Sequence, residues 1–276
     1  MNNILVPIDF SKTSDNAVDY AIEFANQTKS KLIVLLHVIQ PIVVTDALYT
    51  FSTEELVVYK NDIEIKLQAY ALKIKQECNC SVEILTELGA GNLEFEVANC
   101  CSKKEISFVI MGITGANELE AKLIGSNTLS VSEKIDIPLI IIPKHYEFKH
   151  ISKVLLLTDY LNIKDSLPTE KLISLLDAIN PIIDVLHIED SPRIESFEAS
   201  LERFELSNLL KKYAPSFKNS YNNDFVIAVN EMVIENNYQL LICISKQKNW
   251  LQKLLGKSHT HQLAFHTKVP LLILHK

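Results

Sequence analysis

Apolar residues along this chain gather in short, nearly unbroken runs, separated by longer stretches where they return every three or four positions. The first run, "NILVPID", ends at Asp9. Behind it, in "SKTSDNAVDYAIEFANQTKS", Ala17, Ala21, Phe24 and Ala25 recur at helical spacing after Ser, Thr and Asp capping candidates. "KLIVLLHVIQP" is a second run, closed by Pro41. The residues from about Thr53 to Glu77 read as a long helix, "SVEILTELG" as a strand and "NLEFEVANCCSKKE" as a helix. "ISFVIMG" is a fourth strand, 128–134 a helix and "PLIIIPK" a fifth strand. Strands apolar on both faces are those of a parallel sheet covered by helices on each side.

Regular alternation of strand and helix implies right-handed crossovers and a doubly wound parallel sheet. The pattern then restarts. "KVLLLTDY" repeats "NILVPIDF" and sets Asp159 against Asp9, while "IIDVLHIED" repeats "LIVLLHVIQ". "VPLLILHK" at the end repeats "IPLIIIPK". Three matches in the same order indicate an internal duplication: two tandem α/β domains, 1–145 and 151–276, joined near "KHYEFKH".

The 276-residue length suits two domains of ordinary size, and 47% hydrophobic with 22% charged residues is a globular composition. A net charge of −7 argues against a general binder of nucleic-acid backbones. No apolar run reaches the ~18 residues of a membrane-spanning helix. The N-terminus reads as a strand and not as a signal peptide. Five cysteines, an odd number in a chain too large to need staples, suggest reduced thiols and a cytoplasmic protein.

Candidate chemistry concentrates after the fourth strand. Three of the chain's six glycines, Gly112, Gly115 and Gly125, fall within one loop. Glycine serves where backbone must approach a partner too closely for a Cβ. A strand, such a loop and a helix N-terminus together offer free N–H groups to phosphate oxygens, with Ser126 and Thr128 adding hydroxyls. A turn without a ligand is the alternative. The spacing is neither the Walker form nor the dinucleotide fingerprint. Asp9 and Gly112 both stand at expected strand carboxyl ends, where doubly wound sheets bind ligands at the reversal of strand order. Asp9 fits two roles, a ligand contact or a helix-capping carboxylate.

The spacing Gly112-x2-Gly115-x9-Gly125-Ser126, with "ILVPIDFS" and "LLHVIQP", resembles the ATP-binding members of the universal stress protein family. "GAGNLEFEVA" also resembles the family's segment before its fourth strand. The likeness is good over 1–144 and looser over 151–276. It implies the Rossmann-like, adenine nucleotide alpha hydrolase-like version of the doubly wound sheet in each half. It further implies that Asp9 contacts the nucleoside and Val38 reads adenine through its backbone. Gly112, Gly115, Gly125, Ser126, Asn127 and Thr128 would surround the phosphates. Lys122, within the spacer, is read as a solvated surface lysine. Single-domain members dimerise through the last strand. A tandem chain is therefore expected to pair 139–142 with 271–274 antiparallel, as an intramolecular pseudo-dimer, leaving any homodimer to another surface.

The second half departs from the motif. Ile244 and Gln247 stand where the first two glycines would be, and Gly256 is followed by Lys257. This repeat reads as degenerate. His259, His261 and His266 lack partner ligands at matching spacing, and no metal site is assigned. His37 and His187 occupy matched strand ends, where local hydrogen bonds are expected of them, and no catalytic role is assigned. No Ser/His/Asp or Cys/His set stands out, so the expectation is an ATP-binding stress-response sensor or binding module with an unidentified protein partner. A slow ATP-hydrolysing enzyme and a nucleotide-free scaffold are the alternatives.

Overall fold

The computed structural model describes residues 3–40, 53–78, 81–113, 126–160, 162–189, 197–221, 225–245 and 267–275. Its first half runs β1 (Asn3–Pro7), α1 (Lys12–Thr28), β2 (Leu32–Ile39), α2 (Thr53–Glu77), β3 (Glu83–Ala90), α3 (Leu93–Lys103), β4 (Ile106–Gly112), α4 (Ser126–Lys134) and β5 (Leu139–Ile142). The second runs β6 (Lys153–Leu157), α5 (Ile163–Ser166), α6 (Thr169–Ile179), β7 (Ile182–Glu189), α7 (Phe197–Leu209), β8 (Ser216–Tyr221), α8 (Phe225–Asn236), β9 (Leu240–Ser245) and β10 (Leu271–His275).

The strands form one ten-stranded sheet in the order β3-β2-β1-β4-β5-β10-β9-β6-β7-β8. Read inward from either edge, the two halves share one order, and within each half all neighbours are parallel. Each half is a doubly wound α/β unit. The unbroken apolar runs follow from burial on both faces. Along β1, Ile4 and Val6 enter one buried cluster and Leu5 the other, and β2 divides Ile33 and Leu35 from Val34 and Leu36 in the same way. The first cluster packs under α1, α2, α6 and α7, the second under α3, α4 and α8.

The halves join as their final strands suggest. β5 and β10 run antiparallel, pairing Leu271 with Ile141, Leu272 with Ile140 and Ile273 with Leu139. Each edge thereby covers the other, removing two exposed apolar strands at once. Gln27 of α1 clasps the start of the second half. Its Nε2 donates to the Ile151 carbonyl at 2.8 Å, and its Oε1 accepts the Ile151 N–H at 2.9 Å. Lys171 of α6 donates to the carbonyls of Asp136 (2.7 Å) and His275 (2.9 Å).

Three local expectations change. β1 ends at Pro7 and not at Asp9, because the chain turns out of the sheet through Phe10, whose φ is +61°. α4 begins at Ser126, two residues earlier than its apolar spacing suggests, since Ser and Asn at a helix start carry no hydrophobic signal. Cys78 is disulfide-bonded, whereas composition had suggested reduced thiols throughout; Cys100, Cys101 and Cys243 are free and buried. Overall cysteine usage speaks to compartment and cannot register a local pairing.

Candidate functional site

Strand order reverses between β1 and β4, which lie side by side although two strands and three helices separate them in sequence. The chain leaves β1 toward β2 on one side and enters β4 on the other, opening a crevice beyond their carboxyl ends. Asp9 is exposed in the turn above β1. Its Oδ1 accepts the Ser11 N–H at 3.0 Å. The cap of α1 is Ser11 itself, whose side chain accepts the Ser14 N–H at 3.2 Å. Asp9 thus braces the turn one step before the cap, and a carboxylate retains acceptor capacity for further donors. Desolvation pulls its pKa upward, but hydrogen bonds from the Ser11 hydroxyl and N–H, with a smaller one from Ser14, outweigh that and hold it below the usual value.

Val38 lies near the end of β2, opposite Gly89 of β3. The Leu36 carbonyl faces β1 and accepts from Ile8 at 2.8 Å, while the Ile39 carbonyl faces β3 and accepts from Gly91 at 2.9 Å. Peptide groups alternate sides along a strand. The N–H and C=O of Val38 therefore face the β1 side, in the space vacated once β1 has ended at Pro7. Gly91, with φ +115°, turns the chain from β3 into α3.

Gly112 closes β4, in register with Ile142 of β5. A Cβ on Gly112 would lie 2.4 Å from the Thr13 carbonyl oxygen and 2.7 Å from its Cγ2. The first turn of α1 therefore rests directly on this backbone. α4 starts at Ser126, and because it connects the parallel strands β4 and β5 its N-terminus lies at the carboxyl end of the sheet. Asn127 is exposed in its first turn, whereas Thr128 is buried. Gly115, Lys122 and Gly125 lie outside the described residues.

The family model of the universal stress protein family matches residues 1–143. The chain belongs to this family. Universal stress protein YxiE of Bacillus subtilis is 27% identical over 146 residues, covering 51% of this chain and 98% of the relative. A universal stress protein structure from Archaeoglobus fulgidus covers 100% of this chain and 96% of its own, with TM-score 0.75 and 17% identity. A putative universal stress protein from Pseudomonas aeruginosa covers 99% of this chain and 93% of its own, at TM-score 0.60 and 12% identity. At these identities the two structures show that the fold extends through both halves.

Within this universal stress protein fold the second crevice differs. Ile244 of β9 pairs with Leu274 as Gly112 pairs with Ile142, so a branched side chain stands in the register position of that glycine. The helix after β6 is also not continuous. α1 runs for 17 residues, but its counterpart breaks into α5 and α6 at Leu167, which has extended angles (φ −81°, ψ 121°) before Pro168. Asp159 is exposed above β6, as Asp9 is above β1. Gln247, Gly256, Lys257, His259, His261 and His266 lie outside the described residues. Among the described residues no group of His, Cys, Asp and Glu is placed to hold a metal ion.

Both halves share a device of which sequence reasoning expected the local histidine hydrogen bonds and missed the aromatic partner. His37 Nδ1 donates to the Ile8 carbonyl at 2.9 Å, and His187 Nδ1 donates to the Thr158 carbonyl at 2.9 Å. The ring at the following left-handed position packs against each at a tilt: Phe10 on His37 at 4.9 Å, Tyr160 on His187 at 4.7 Å. Retention beside two unlike crevices marks it as architecture that fixes where the strand-end carboxylate stands. Tyr70 and Lys66 of α2 add to it in the first half. The Tyr70 hydroxyl donates to Asp15 Oδ1 at 2.6 Å, and the Lys66 ammonium sits 4.1 Å over the Phe10 ring. The matched Leu-His pairs at one offset were the available signal.

Proposed function

We propose that residues 1–145 form a unit that binds one adenine nucleotide, ATP in the preferred reading, and that 151–276 is a degenerate repeat without a nucleotide. The protein then acts in the cytoplasm as a nucleotide-dependent sensor or binding module in the stress response. The observation that carries this reading is convergence at the reversal of strand order. An exposed carboxylate, an outward peptide edge at Val38, the end of β4 at Gly112, on which α1 rests, and the start of α4 stand together at the carboxyl end of the sheet. The donor set suits a nucleotide. Val38 offers a paired donor and acceptor for a base edge, Asp9 accepts from ribose hydroxyls, and the amides of Ser126, Asn127 and Thr128 favour phosphate. Gly115 and Gly125 complete the glycine spacing between Gly112 and Ser126 in sequence. No described helix is long and apolar enough to cross a membrane.

Calorimetric titration of the full chain with ATP tests the proposal, together with mass spectrometry of any ligand released on denaturation. One site per chain is expected. Gly115→Val, which puts a branched side chain into the loop, should abolish binding while leaving the unfolding midpoint nearly unchanged. Two equivalent sites, no binding, or full affinity in that variant would each overturn it.

A further inference from the structure

α7 presents an apolar stripe that the body of the protein does not cover. Phe197, Leu201 and Phe204 lie at i, i+4 and i+7, on one face of the helix, and are 74%, 49% and 60% exposed. The opposite face is fastened down. Leu206 and Leu210 are buried, and the Arg203 guanidinium lies 5.1 Å over the Phe217 ring of β8. Glu202 Oε2 accepts the Ile163 N–H of α5 at 2.7 Å. The stripe is therefore held in a fixed orientation before any partner arrives, which removes an ordering cost from association.

Charge sets the kind of partner. Glu198 and Glu205 are exposed along one flank of the stripe, Ser200 and Ser207 form the other, and Asn208, four residues after Phe204, ends it. Arg203 is the sole base in α7, and it is turned inward onto Phe217. We infer that the Phe197–Leu201–Phe204 face of α7 is a docking surface for an amphipathic helix with a basic flank. Two helical turns of apolar side chains match the anchor spacing of a helix laid alongside, and the two glutamates match Lys or Arg next to its anchors. Pairing of α7 with its own copy would bring Glu198 and Glu205 against like charges. An anionic membrane surface would meet the same repulsion, in a chain of net charge −7.

The test uses the full chain and two fluorescein-labelled probe helices built on one leucine stripe, the first flanked by lysine and the second by glutamate. Anisotropy titration should show the lysine probe binding more tightly by about tenfold, with the preference shrinking as salt rises. Glu198→Lys with Glu205→Lys should reverse the order of the two probes. Leu201→Ser with Phe204→Ser should weaken the lysine probe by about a hundredfold while the unfolding midpoint stays near that of the parent. Equal binding of the two probes, no binding of either, or insensitivity to the stripe substitutions overturns the inference. So does self-association or binding to phosphatidylglycerol vesicles that the Leu201 and Phe204 substitutions abolish, since the face would then serve that occupant.

Discussion

Replacing Gly112 by Ala isolates the contact between β4 and α1. The added methyl would lie 2.4 Å from the Thr13 carbonyl oxygen, when side-chain carbons in proteins essentially never come within 3.0 Å of such an atom. The first turn of α1 would have to retreat by more than half an ångström. It cannot do so alone, because Ser11 caps that helix and Asp9 is bonded to Ser11. Overpacking of this kind costs about 1–3 kcal/mol. Reduced freedom of the unfolded chain returns roughly 0.4–1 kcal/mol. The net loss should be about 1–2 kcal/mol, a fall of roughly 0.3–0.7 M in the urea midpoint for a slope near 3 kcal/mol/M. Gly89→Ala is the control. Its methyl would meet the Glu96 side chain at 2.8 Å, and that flexible side chain can swing aside. Its midpoint should move by less than half as much. Nucleotide affinity should also fall in Gly112→Ala, since Asp9 moves with the helix, and stay constant in Gly89→Ala. A Gly112→Ala midpoint equal to the parent, or parity between the two variants, would refute this account of the motif's first glycine.

Asp184, buried in β7, accepts from the Tyr238 hydroxyl and from Lys218 at 2.9 Å, with the Lys153 ammonium 3.6 Å away. Asp184→Asn would leave two lysines facing each other and should cost about 2–3 kcal/mol by urea unfolding, below the ~3–5 of a fully buried pair because both lysines remain partly exposed. Burial pushes the Asp184 pKa up, but the Tyr238 and Lys218 hydrogen bonds and the two ammonium charges outweigh it and hold it below its unfolded value. Its stabilisation is therefore present above the unfolded carboxylate range and lost as pH falls through the folded pKa, so the gap between parent and Asp184→Asn should close in acid; a gap independent of pH would contradict the assignment. Residues 1–148 expressed alone, a length close to that of the Bacillus subtilis relative, should self-associate through the uncovered β5, and a strictly monomeric soluble fragment in sedimentation would show that this edge needs no cover.

The pairing of β5 with β10 followed from the resemblance to single-domain members that dimerise through their last strand, and the sheet was legible because burial on both faces writes itself as unbroken apolar runs. Contacts between distant positions were not. Nothing near Gly112 announces that the carbonyl of Thr13 rests on it, so the sequence suggested a phosphate where the structure also supplies a packing reason. Asp9 stands two residues beyond the end of β1 and not at it, a difference the sequence hid because Pro-Ile-Asp continues the apolar pattern past the strand. The break at Leu167–Pro168 could be read from the proline. The outward peptide edge at Val38 depends on where β1 stops, which a pattern of side chains does not record.

Joining both halves through β5 and β10 changes what dilution can do. Two separate subunits that share an edge strand come apart as their concentration falls, and every pair they form is between like crevices. Here the partner strand is tethered, so its local concentration is set by chain geometry and not by expression level. Each molecule carries one crevice lined by Gly112 and one by Ile244 in fixed equal number. Substitutions can accumulate in one half without ever appearing in the other, because no molecule can assemble from two copies of the same half while this edge is closed.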